Sequence, residues 1–66
     1  MTIAQEVVQL SGAEWVGIQE GRDGNLVLFN DPINHATLAL REGEITTTAI
    51  IMALDKSRKS FAEANS

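Results

Sequence analysis

His35 is the only histidine of the 66-residue chain, and it follows Asp31 by four positions in a polar turn. An imidazole that is oriented by a carboxylate can act as a general base near neutral pH. Catalysis also needs a nucleophile or an electrophilic group in a concave site, and the neighbouring residues supply neither. We therefore interpret His35 as a polar turn residue at the start of a strand, and we predict that the chain is not an enzyme.

Paired carboxylates can bind a hard cation or divide acid and base roles. Four acidic residues lie in predicted loops, namely Asp23, Asp31, Glu42 and Glu44. Their spacing matches no calcium-binding loop, and acidic residues beside glycine are ordinary in solvated loops. The chain has no cysteine, which excludes zinc-finger, iron–sulfur and thiol chemistry. We predict no metal site and no cofactor.

Two segments have features of an anion site. The first, Gly21 to Gly24, is a glycine-containing loop after a strand, but phosphate-binding loops lead into a helix and this one leads into another strand. The second, Thr46 to Thr48, offers hydroxyl groups and free amides at a predicted helix start. Capping by Thr46 explains this segment more simply. We interpret the two segments as a hairpin turn and a helix cap.

Three basic residues, Lys56, Arg58 and Lys59, lie near the end of the chain on a predicted helix. Basic residues at a helix end commonly contact nucleic acid, so these three are candidates for partner binding. They lack stacking aromatic residues, and the formal net charge of −4 disfavours nucleic acid. They also complement the negative end of the helix dipole. A third interpretation is that they bind an acidic patch on another protein.

The first predicted element is a helix from about Ile3 to Leu10. Thr2 and Gln5 have the spacing of a capping box, and Gly12 can end the helix in a left-handed conformation. Three antiparallel strands follow, at about 13–20, 26–29 and 36–41. The loop at 21–24 and a type I turn that begins with Asp31-Pro32 separate them.

A long second helix is predicted to begin after Thr46, with its apolar stripe on Ile50, Ile51, Leu54 and Phe61. The sequence therefore predicts one α+β domain over residues 1–66, in which residues 63–66 are frayed. Its core is a three-stranded antiparallel β-meander flanked by an N-terminal and a C-terminal helix, in the order α-β-β-β-α.

The predicted strand registers divide the apolar side chains between two sheet faces. Residues 26–29 are apolar in succession, which is typical of a strand covered on both sides. With Leu28 placed opposite Leu38, one face is expected to hold Trp15, Leu26, Leu28, Leu38 and Leu40, and the other Val16, Ile18, Val27 and Phe29. The two helices can share one face or cover one face each, and the first option leaves a face for a partner. The interface candidates are Trp15, Leu26, Leu28, Phe29, Leu38 and Leu40.

The length of the chain is near the lower limit for independent folding, and without cysteine no disulfide can stabilise it. We therefore expect a homodimer. The N-terminus does not have the pattern of a secretory signal, and the longest apolar stretch, residues 49–54, is too short to span a bilayer. These features predict a cytoplasmic protein without a membrane segment.

In topology alone, three antiparallel strands followed by a helix resemble small antitoxin domains of the HicB kind. Residues 29–32, Phe-Asn-Asp-Pro, are similar to the proline-containing segment of that family, whereas the leading helix is additional.

The small size and acidic charge of the chain lead to the expected function. It is a small acidic protein-interaction module that acts as an inhibitor, adaptor or regulator, such as those of phages and mobile elements. The alternative is a nucleic-acid-binding regulator that uses the basic end of the last helix.

Overall fold

The computed structural model describes residues 2–65. In chain order its elements are α1 (Ile3–Leu10), β1 (Glu14–Gln19), β2 (Leu26–Asn30), β3 (Thr37–Arg41), a short 3-10 turn at Glu42–Glu44, and α2 (Thr47–Ala64). The strands form an antiparallel sheet in the order β1-β2-β3. The predicted α+β meander with a helix on each side in sequence is confirmed.

Both helix starts are capped by the predicted threonines. The Thr2 hydroxyl accepts a hydrogen bond from the Gln5 amide at 3.2 Å, and the Thr2 amide donates to the Gln5 side chain at 2.8 Å. The Thr46 hydroxyl accepts from the Ala49 amide at 3.0 Å. Gly12 follows α1 with a φ of 83°, a conformation that glycine adopts without strain. Local sequence signals therefore fix where both helices begin.

Both helices cover the same face of the sheet. The buried core is formed by Val8 of α1, Ala13, Val27 and Phe29 of β2, and Ile50 and Leu54 of α2. Helix α1 contacts β1, α2 contacts β3, and the two helices contact each other. Of the two arrangements that the sequence left open, the helices adopt the one in which they lie side by side. The other face of the sheet is therefore uncovered within residues 2–65.

The pairing of β1 with β2 departs from the prediction at one point. Near the turn the register is as expected, with Ile18 opposite Val27, but further along β1 Trp15 lies opposite Phe29. Val16 is the extra residue of a β-bulge between them. A bulge reverses the alternation of side chains along a strand, so Trp15 lies on the Phe29 face and the predicted grouping was wrong.

The pairing of β2 with β3 is shifted by one residue from the prediction. Phe29 lies opposite Leu38, whereas the sequence had suggested Leu28. The connection at 31–36 has an even number of residues, and His35 within it adopts a left-handed φ of 60°. A shift of one residue exchanges the faces of a strand, which moves Leu38 to the helix-covered side.

The bulge in β1 and the register shift between β2 and β3 change the sheet face on which several interface candidates lie. The helix-covered face holds Trp15, Val27, Phe29, Leu38 and Leu40. Phe29 is completely buried, and Trp15, Leu38 and Leu40 pack against the core. Only Leu26 and Leu28 lie on the uncovered face. The prediction that all five bulky residues share one patch was therefore wrong, because neither the bulge nor the longer turn has a sequence signature.

Helix α2 contributes less of its predicted stripe to the core than expected. Ile50 and Leu54 are buried, but Ile51 and Phe61 are each about half exposed. The helix runs to Ala64. Residue 66 lies outside the described residues, and the prediction of fraying over 63–66 stays a prediction. Within residues 2–65, no helix combines the length and apolarity that crossing a bilayer requires.

Candidate interaction surfaces

Asp31 is the only fully buried charged residue within residues 2–65. Its carboxylate accepts two hydrogen bonds from Arg58, with Nε to Oδ2 at 2.7 Å and Nη2 to Oδ1 at 2.9 Å. Oδ1 also accepts the Ile33 amide at 2.9 Å, which forms an Asx turn. This bidentate pair joins the end of β2 to the second half of α2.

The loop at 31–36 is held by one further bond to the same helix and by bonds within the loop. The Asn34 side-chain amide donates to the Ser57 hydroxyl at 3.2 Å, while its oxygen accepts the Ala36 amide at 3.0 Å. The His35 amide donates to the Asp31 carbonyl at 2.8 Å. Asp31 therefore accepts hydrogen bonds at its side chain and at its carbonyl. The carbonyl bond comes from His35 and not from Asn34, so the turn is one residue longer than the predicted type I turn.

The electrostatics of the pair follow from this geometry. The hydrogen bonds from Arg58 hold the pKa of Asp31 below its ordinary value of 3.8, against the opposing effect of burial. The Ile33 amide acts in the same direction as Arg58. The bond with Asp31 likewise raises the pKa of Arg58. Both groups are therefore charged at neutral pH, and they form a structural ion pair that joins the loop at 31–36 to α2.

The residues that suggested catalysis or metal binding do not gather into a site. Both Asp31 oxygens are engaged by Arg58, and His35 is exposed in its turn. Among the described residues, no group of three or more histidine, aspartate or glutamate side chains is placed to hold a metal ion. The Gly24 amide donates to the Gly21 carbonyl at 3.3 Å, as a hairpin turn requires.

The three basic candidates are divided between different surroundings. Arg58 is committed to Asp31, with its side chain 40% exposed. The Lys59 ammonium lies 3.0 Å from the Asp55 carboxylate on the solvent side of the helix. Lys56 and Lys59 both line a groove that Arg58 does not line. The structure therefore leaves two of the three in a position to meet a partner.

This groove, which we call the α2–β3 groove, has a volume of about 610 Å³. Its apolar lining is Leu40, Ala49, Met52 and Ala53, and its polar lining is Asp55, Lys56, Lys59, Ser60 and Glu63. Met52 is 66% exposed. All but Leu40 lie on one stripe of α2 at spacings of three to four residues. Sequence reasoning missed this second stripe because the core stripe of the same helix is more strongly apolar.

The second surface is the sheet face opposite the helices, which we call the open face. The strand registers arrange it in three rows across β1, β2 and β3, which are Glu14–Asn30–Thr37, Gly17–Leu28–Ala39 and Gln19–Leu26–Arg41. The Thr37 hydroxyl donates to the Asn30 side chain at 2.8 Å within the first row. The open face therefore has an apolar middle row that Leu26 extends. The rest of its border is polar, with opposite charges at two diagonal corners.

Comparisons of this chain with protein-family models, with curated proteins and with solved structures found no match. The topological similarity to HicB-type antitoxin domains therefore carries no functional assignment, since one topology serves many functions. The function is inferred from the α2–β3 groove and the open face.

Proposed function

We propose that the chain is a small non-enzymatic protein-interaction module, active as a homodimer in the cytoplasm. It binds an extended segment of another protein at the α2–β3 groove, and so acts as an inhibitor, adaptor or regulator. The observation that carries this proposal is an apolar groove beside an unpaired strand edge.

The edge of β3 is suited to accept another strand. Within residues 2–65, β3 pairs with β2 on one side only, so its outer amides and carbonyls lack strand partners. The five pairs with β2 run without a shift, whereas the other edge strand, β1, carries the bulge at Val16. Bulges protect edges from pairing with a further strand. Strand addition is therefore expected at β3 rather than at β1.

The groove supplies the contacts that would select a sequence. Side chains of an added strand alternate between the two faces of the sheet, so every second one enters the space beside α2. There they meet Leu40, Met52 and Ala53. The expected ligand has apolar residues at every second position, with backbone hydrogen bonds supplying affinity and the groove supplying specificity.

The charges at the groove refine this description. Lys56 and Lys59 lie beyond the apolar part, together with Asp55 and Glu63. Lys59 is already paired with Asp55, which leaves Lys56 as the expected contact for an acidic residue of the ligand. A bound segment with one acidic residue next to its apolar positions fits this distribution.

Binding of synthetic peptides tests the proposal. A displayed library of random peptides is selected against the immobilised protein, and enriched peptides are measured against Met52→Lys and against Ile51→Lys. The two residues are neighbours on α2, both apolar and exposed, but only Met52 lines the groove. We expect Met52→Lys to weaken binding by at least about tenfold, a loss near 1.4 kcal/mol, and Ile51→Lys to leave it unchanged.

Methylation of alternate peptide amides distinguishes strand addition from other modes of binding. Only one of the two alternate sets of amides faces β3, so methylation of that set should abolish binding and methylation of the other should not. Failure to enrich any peptide, or equal binding to both lysine variants, would contradict the proposed function.

A further inference from the structure

We infer that the partner of the open face is a second copy of this chain, packed with its strands at a steep angle to those of the first copy. This inference rests on the proposed homodimer and adds its arrangement. It is carried by the positions of Glu14 and Arg41, which occupy diagonally opposite corners of the open face.

These two charges do not pair with each other within one molecule. Two strand spacings and four residue steps separate the corners by roughly 16 Å, which is too far for an ion pair. Neither residue takes part in a salt bridge within residues 2–65, and both are exposed. Asp23 lines a small pocket together with Arg41, but the two form no salt bridge within residues 2–65. A second molecule can therefore supply an ion-pair partner for each of the two charges.

Two-fold symmetry limits how two open faces can meet. The two-fold axis lies between the two sheets and parallel to them. In a view perpendicular to the sheets, the rows of the second molecule therefore lie over those of the first as their reflection across that axis. An axis along or across the strands places Arg41 over Gln19 or Thr37 of the second copy. An axis through the Glu14 and Arg41 corners superposes like charges.

The remaining diagonal axis passes through the Gln19 and Thr37 corners. It places Arg41 of each molecule over Glu14 of the other, which forms two symmetry-related ion pairs. With the same strand spacing and residue rise, the strands of the two copies then cross at roughly 70°, which is near the orthogonal class of sheet packing. Charge complementarity therefore selects this arrangement among the four.

The same arrangement also matches the shape of the open face. It places Leu26 of one molecule over Gly17 of the other, where a Cβ atom would meet nothing within 4 Å. Leu28 lies at the centre and meets its own copy. A leucine thus fills the depression over each glycine. The footprint of three short strands is small for a stable interface, so we expect micromolar rather than nanomolar affinity.

Sedimentation equilibrium of charge-reversal variants tests the arrangement. Arg41→Glu and Glu14→Arg each place like charges together twice, and each should weaken the dimer by about tenfold. The double variant Glu14→Arg/Arg41→Glu restores both pairs, and should return to within about threefold of the unmodified protein. Glu44→Arg, which makes the same charge change as Glu14→Arg but outside the open face, should have little effect.

Gly17→Val provides a test that does not depend on charge. Its added side chain has space in the single molecule but occupies the depression that receives Leu26, so dimerisation should weaken by at least about tenfold while circular dichroism shows an unchanged fold. A dimer unaffected by the single charge reversals, or not restored by the double variant, would overturn the diagonal arrangement alone. A protein that stays monomeric at the highest attainable concentration would overturn the homodimer itself.

Discussion

The carboxylate of Asp31 and the guanidinium of Arg58 form a bidentate ion pair, with Nε 2.7 Å from Oδ2, across 27 positions of sequence. The acceptor is fully buried at the end of β2, and the donor lies on α2. The pair fixes α2 over the sheet. It thereby sets the position of the helix that forms one wall of the α2–β3 groove.

Loss of this pair should destabilise the protein. Asp31→Ala removes both bonds from Arg58 and the bond from the Ile33 amide, and we expect a loss of about 1.5–3 kcal/mol in the free energy of unfolding. Urea denaturation measures it. The control is Asp55→Ala, which removes the exposed pair with Lys59 and should cost less than about 1 kcal/mol. Equal losses in the two variants would contradict the role assigned to Asp31.

The pH dependence of stability follows from the lowered pKa of Asp31. Because the folded pKa lies below the unfolded value near 3.8, the stabilisation is fully present above that pH and is lost as the pH falls through the folded pKa. Asp31→Asn cannot titrate. The difference in unfolding free energy between the unmodified protein and this variant should therefore narrow on acidification below about pH 3.8. A difference independent of pH would be the contrary result.

The corrected sheet faces predict different roles for two adjacent residues. Phe29→Ala leaves a cavity in the core and should cost about 3–5 kcal/mol, enough to unfold most of so small a domain. Leu28→Ala lies on the open face and should cost on the order of 1 kcal/mol in the single molecule. Thermal unfolding at low protein concentration measures both. Comparable destabilisation by the two variants would argue against the face assignment.

Trp15 is the sole tryptophan, so its fluorescence reports on one site. It packs against the core on the helix-covered face, away from the open face. Its emission maximum should therefore stay constant when the dimer is diluted below its dissociation constant. A red shift on dilution would instead show that Trp15 lies in the dimer interface, as the sequence had suggested.

Only two of the three basic candidates, Lys56 and Lys59, line the groove, and we therefore predict that nucleic acid is not a ligand. Arg58 is bound to Asp31, and the acidic chain repels phosphates. We expect no binding of duplex DNA or of RNA in fluorescence anisotropy at low salt. Binding that weakens with added salt and is lost in Lys56→Ala/Lys59→Ala would support the alternative function.

The sequence predicted the elements and their caps well because these depend on neighbouring residues. Thr2 with Gln5, and Thr46, fixed the helix starts through bonds that span three positions. Which side chains share a sheet face is set by the bulge at Val16 and by the left-handed conformation of His35. Both of these features arise from tertiary packing. One extra residue in each place moved Trp15 and Leu38 to the helix-covered face.

The candidate surfaces were less predictable than the elements. Lys56 and Lys59 were identified from their charge, but nothing near them in sequence shows that Arg58 meets Asp31, 27 positions away. The groove arises only when α2 lies over β3, and the spacing of Ala49, Met52 and Lys56 on one stripe of α2 is its sole local signal. Surfaces made by two elements require the packing to be known.

Amide hydrogen exchange of the protein with a selected peptide tests strand addition at β3. Peptide binding should slow exchange of the outward-facing amides of Thr37–Arg41, while the amides of Glu14–Gln19 on the bulged edge are unchanged. Protection confined to β1, or to α2 without β3, would contradict binding along this edge.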